Sequence, residues 1–180
     1  MASTSLDLHQ TYFRLFDLPQ SYALDSATLE QRYRALQMTV HPDKSAHLSA
    51  AEQRIAMQQA TFVNEGYQTL RSTLRRSRYL LQLNGVDTQE EINTAMPMAF
   101  LMAQLEWREA VLEAQHARDV DALEALEARM HVETAELEAQ LADKIDAEKN
   151  YAAAAVTVRK LRFMEKLAEE IGAAYDAVDI

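Results

Sequence analysis

Apolar positions recur along this chain at three- and four-residue steps almost from end to end. Leu29, Tyr33, Leu36 and Val40 fall at i, i+4, i+7 and i+11, one face of a helix. Asp25 or Ser26 is placed to cap it, because either side chain can accept from a free N–H of the first turn. Pro42 disfavours helical geometry at His41 and stops that helix. A second stripe, Ala56, Ala60, Val63, Tyr67 and Leu70, comes after a Ser49–Glu52 pair spaced as a capping box. The two stripes predict an antiparallel helical hairpin, and the segment at its tip, roughly 41–48, is too polar to be buried. Before the hairpin, the aromatic stretch Tyr12–Phe16 is stopped by Pro19. After it, Thr73–Leu81 reads as a short helix ending near Asn84-Gly85.

Residues 85–97 read as a linker, in which Thr88 and Glu91 can cap a brief turn and Pro97 suits the start of a new helix. From Met98 to Ile171 there is neither Gly nor Pro. Leu123, Leu126, Met130, Leu137, Leu141 and Ile145 form one stripe there; Leu161, Met164, Leu167, Ile171, Tyr175 and Val178 form another. Asp119-Val120-Asp121 and the Asn150 region carry the cap residues that would break so long a run. The expected fold is all-α: a helical hairpin with short flanking helices over residues 1–84, and a three-helix bundle over 98–180. A continuous coiled coil is the alternative, but the stripes are not sustained across the breaks.

Composition narrows the chemistry. The chain has 180 residues, 48% hydrophobic, with three Gly and three Pro, a make-up that favours helix nearly everywhere. It has no cysteine, which excludes disulfides, thiolate metal sites and thiol nucleophiles. No apolar run is long enough to span a bilayer, and the opening MASTSLDLHQ carries neither a basic cluster nor an apolar core of a signal, so a cytoplasmic protein with no membrane partner is expected. The net charge of −10 argues against nucleic acid. That charge is unevenly spread: residues 1–84 carry 9 Lys/Arg against 7 Asp/Glu, residues 85–180 carry 9 against 21. Two modules with different partners are the simplest reading.

The sharpest local signal is His41-Pro42-Asp43. Alone, the tripeptide is a turn in which Pro42 stops a helix and Asp43 caps the bend. It has company. Tyr33-Arg34-Ala35-Leu36-Gln37-Met38-Thr39-Val40-His41-Pro42-Asp43-Lys44 resembles the second helix and loop of the J domain of DnaJ-type co-chaperones. Val63-Asn64-Glu65-Gly66-Tyr67-Gln68-Thr69-Leu70 resembles that domain's third helix, and Leu74-Arg75-Arg76-Ser77-Arg78-Tyr79 its arginine-rich fourth. The family usually has basic residues where this chain has Ala35 and Thr39, and Ala where it has Gly66. Two further stretches, Ala99–Glu109 and Val156–Leu167, resemble the C-terminal domain of the HscB family, J-type co-chaperones of iron–sulfur cluster assembly.

The resemblance implies two partners: an HscA-like ATPase of the DnaK type, and an IscU-like scaffold on which clusters are built. It places ATPase contact on His41, Pro42 and Asp43, and scaffold binding on Leu101, Met102, Leu105, Glu106, Glu109, Glu113 and Phe163. Arg32, Arg34 and Lys44 flank the corner in an otherwise acidic protein and are expected to steer that docking. The residues themselves agree about the second half. Phe100, Ala103, Trp107, Ala110 and Ala114 make one helical face, while Met98, Leu101, Met102, Leu105 and Leu112 extend well round the cylinder, with Glu106, Glu109 and Glu113 along the margin. A small bundle buries only part of so broad an apolar arc, which predicts an exposed patch rimmed by carboxylates. Phe163 lies about 100° round its helix from Met164, off the core stripe, and is expected on the same patch.

No catalytic group, cofactor or metal is expected. His41, Asp43 and His47 lack a fourth ligand nearby in sequence, and His116 and His131 fall on opposite sides of the expected break. Without cysteine the chain is not expected to hold an iron–sulfur cluster itself. There is no Gly-rich phosphate loop, so any ATP belongs to a partner. An adaptor is expected, not an enzyme. The other readings are a J protein serving a different client, or a structural coiled coil with an incidental His-Pro-Asp.

Overall fold

A computed structural model describes residues 6–40, 49–88 and 96–178. Every regular element among them is helical: α1 (Tyr12–Leu15), α2 (Ser26–Val40), α3 (Ala50–Arg71), α4 (Thr73–Leu83), α5 (Met98–Ala117), α6 (Val120–Ala142) and α7 (Tyr151–Val178), with one π-helical turn at Asp143–Ala147. Packing divides the chain into two compact units, Met1–Leu80 and Leu81–Ile180.

In the first unit the helix ends are written locally. Asp25 accepts from the N–H of Ala27 at 3.1 Å and from the Thr28 hydroxyl, fastening the start of α2. Ser49 and Glu52 form both halves of the capping box at the start of α3. Glu30 meets Tyr67, and the Tyr33 hydroxyl donates to Asn64 Oδ1 at 2.9 Å, so α2 and α3 run antiparallel. Leu29, Val63, Tyr67 and Leu70 are buried between them. α1 closes the unit with Phe13 and Leu15, and its Tyr12 ring lies against Phe62 and Tyr79 at centroid separations of 5.2 and 4.7 Å. α4 begins in this unit and ends beyond it, in a Schellman arrangement: Gly85, at φ 74°, bonds back to Gln82 and Val86 to Leu81.

The second unit is a three-helix bundle of α5, α6 and α7, packed on one another and not extended as a coiled coil. Both expected breaks occur. α5 closes at Arg118, in left-handed geometry at φ 53°, and Asp119 caps α6 by accepting from Ala122 N–H at 2.9 Å. α6 runs into the π turn, and Asn150 caps α7 through Ala153 N–H at 3.1 Å. Leu123, Met130, Leu137, Leu141 and Ile145 bury against Leu161, Met164, Leu167 and Ile171. No described helix is long and apolar enough to cross a membrane.

Candidate functional site

The hairpin presents the first surface. The Tyr33 and Tyr67 rings stack at 3.9 Å and 9° across α2 and α3, and within α2 Gln37 donates to the Tyr33 hydroxyl and steadies that ring. Hydrogen bonds from the Tyr67 hydroxyl and then Arg34 hold the Glu30 carboxyl below its ordinary value, and the bond to Glu30 in turn raises Tyr67. The chain carries this rigid pair up to Val40 on one side and takes it up again at Ser49 on the other. His41, Pro42, Asp43 and Lys44, and His47 with them, lie outside the described residues, as does Glu91 of the linker. Arg32 and Arg34 are exposed but not free: Arg32 pairs with Asp17 at 3.2 Å and Arg34 with Glu30 at 2.8 Å. Exposed pairs of this kind contribute little to stability and leave the guanidinium open to exchange its partner. Ala35, Met38 and Thr39 are also exposed, so the outward side of α2 carries more small and apolar surface than charge.

α5 presents the second surface. Trp107, Val111 and Ala114 are buried and anchor it on the bundle. Leu101, Met102 and Leu105 face outward, 40%, 52% and 52% exposed, and Met98 and Leu112 continue the strip at either end. Glu106, Glu109 and Glu113 are exposed along one margin, and among the described residues none of them makes a hydrogen bond or ion pair. Other glutamates of this unit are engaged: Glu170 with Arg108, Glu133 with Arg129, Glu165 with Arg162. The strip is thus an apolar band with an unneutralised acidic edge, on a helix whose far side is fixed in the core. That is the make-up of a docking face.

One expectation about this face is corrected. Phe163 is not on the exposed patch: its ring is 5% exposed, edge-on to Phe100 at 5.6 Å and beneath the Arg108 guanidinium at 5.4 Å. α7 is packed by both α5 and α6, so its buried arc is wider than a single stripe, and a residue 100° off that stripe still meets a neighbour. Phe163 therefore supports the strip from below. Arg108, which no pattern in the sequence singles out, bounds the strip opposite the carboxylates through its pair with Glu170 at 3.3 Å. Arg159 fastens the entry to α5: it donates to the Thr88 carbonyl at 3.1 Å and reaches Met96 Sδ at 3.4 Å. Among the described residues no group of three His, Asp or Glu is placed to hold a metal.

Comparison with known proteins points to one family over nearly the whole chain. Residues 96–172 match the family model of the HSCB C-terminal oligomerisation domain. A co-chaperone protein HscB homolog of Chromobacterium violaceum is 54% identical over 172 residues, covering 96% of this chain and 97% of that one. The homolog of Azoarcus sp. is 49% identical over 175 residues, covering 97% and 99%. The solved structure of chaperone HscB from Vibrio cholerae superposes with a TM-score of 0.83 at 37% identity, over 94% of this chain and 99% of that one.

Proposed function

The chain belongs to the HscB family of co-chaperones, and on that premise we propose that it is an adaptor in iron–sulfur cluster assembly, bringing an IscU-like scaffold to an HscA-like ATPase of the DnaK type. The first unit is the J domain: its His41-Pro42-Asp43 corner contacts the ATPase and favours the hydrolysis-competent state. Arg32, Arg34 and Lys44 orient that encounter more than they strengthen it. The second unit grips the scaffold along Leu101, Met102 and Leu105, with Glu106, Glu109 and Glu113 meeting basic groups. The adaptor works in the cytoplasm and performs no chemistry of its own.

The observation that carries this reading is the α5 strip, in which three large apolar side chains stand in solvent beside three carboxylates that have no partner among the described residues. Covering a Leu or Met fully contributes roughly 1.5–3 kcal/mol. Because the three are already about half covered, the strip supplies roughly 2–4 kcal/mol on docking, so charge pairing at the carboxylates and further contacts must supply the rest of a specific affinity.

The test is steady-state ATP turnover by the cognate ATPase with this protein and the scaffold, singly and together. Stimulation by the pair beyond either alone is expected. Asp43→Asn should abolish stimulation while leaving the fold and scaffold binding intact; normal stimulation by that variant would remove the proposed role of the corner. Leu101→Ala/Leu105→Ala should lose scaffold binding, and unchanged binding would rule out the strip.

A further inference from the structure

Beside the acidic margin of the strip, α5 and α6 enclose an open groove of about 480 Å³, floored by Ala114, Ala117, Ala122 and Ala125 with Leu126. We infer that this groove is a second seat for the scaffold and takes a segment of it bearing Lys or Arg, aliphatic stem along the alanines and cationic head at Glu113. The inference rests on the reading of the α5 strip as the scaffold-binding face.

Charge selects the occupant. Three ionised side chains line the groove besides its apolar floor: Glu113, Asp119 and Arg129. Arg129 is already engaged, over the Trp107 ring at 4.1 Å and paired with Glu133 at 3.2 Å. Asp119 commits one oxygen to the cap of α6, at 2.9 Å from Ala122 N. Glu113 has no partner among the described residues. The charge left to a visitor is negative, and an apolar floor under a negative lip suits a long side chain with a cationic end. The groove also adjoins the strip: Glu113 belongs to its lip and to the margin of the strip alike, so a partner on the strip that reaches past Glu113 meets the groove. A second copy of this chain is the poorer fit, because it would bring together two surfaces drawn from a half with 9 basic and 21 acidic residues.

The test is calorimetric titration of the full chain with the scaffold at low and high salt. Ala125 is exposed, so Ala125→Phe fills the groove and Ala125→Lys puts a cation at its mouth without touching the strip. Both should weaken binding about tenfold or more at an unchanged melting temperature, and Glu113→Gln should weaken it in the wild type but add little in the Ala125→Phe background. If both Ala125 variants bind as the wild type while Leu101→Ala/Leu105→Ala does not, the groove inference is overturned and the strip stands. If the strip variant also binds normally, both readings go. Sedimentation showing a dimer that Ala125→Phe disperses would assign the groove to a second copy and overturn the inference.

Discussion

Gly66 shows how far a single position can mislead. A glycine inside α3 reads as a loss of about 1 kcal/mol relative to Ala. Its place in the fold reverses that sign. A Cβ there would meet Tyr12 Cδ1 at 2.8 Å and the ends of Leu15 and Phe16 at 3.2 Å. Tyr12 has little room to retreat: its ring lies between Phe62 and Tyr79, and its N–H donates to the Tyr79 hydroxyl at 3.0 Å. Overpacking typically costs about 1–3 kcal/mol, more than the propensity gained. Gly66→Ala should therefore lower stability by roughly 1 kcal/mol in a denaturant melt, and a stabilised variant would show that α1 yields freely. The α5 strip makes a second contrast at this scale. Phe163→Ala should cost about 3–5 kcal/mol as a core truncation, whereas Leu105→Ala should stay within about 0.5 kcal/mol. Both residues resemble patch positions in sequence; only the packing of α7 on two sides separates them.

Helix ends were the most legible elements, because a cap is chemistry confined to four or five residues. Ser49 with Glu52, Asp25, Asp119, Asn150 and Gly85 all act where their identities place them. The π turn at Asp143–Ala147 was not legible: it contains neither Gly nor Pro, and it arises where α6 must turn toward the Asn150 cap, with Lys144 reaching Thr157 at 2.7 Å across the turn. Nor was the pairing chemistry of the hairpin, since Glu30 and Tyr67 are brought together only by its register. That contact makes the hairpin sensitive to acid. Glu30 has a folded pKa below its ordinary 4.5, so its contribution is fully present above that value and fades as pH falls through the depressed one. Unfolding monitored on the acid side should show the wild type losing stability below about pH 4.5 more steeply than Glu30→Gln. Equal slopes would mean that the Tyr67 and Arg34 contacts do not favour the carboxylate.

For the molecule as a whole, the division of charge between the halves suggests two modules with a linker at 85–97, whereas packing divides the chain between Leu80 and Leu81, inside α4. The proposed adaptor, with one grip for each partner, makes a kinetic prediction that neither unit makes alone. If one chain holds scaffold and ATPase at once, the scaffold reaches the ATPase at a raised effective concentration, and the benefit saturates when free scaffold is abundant. Leu101→Ala/Leu105→Ala leaves the corner untouched, so it should stimulate ATP turnover as well as the wild type when no scaffold is present. With scaffold at low micromolar concentration it should fall well behind, and raising the scaffold should close the gap. If the corner makes the proposed contact that shifts the ATPase between states, Asp43→Asn should stay inactive at every scaffold concentration, since cargo does not replace that contact. Rescue of Asp43→Asn by excess scaffold would mean that the cargo drives hydrolysis unaided. A strip variant already defective without scaffold would mean that the grips are coupled, and the two-handed account of this protein would have to be rebuilt.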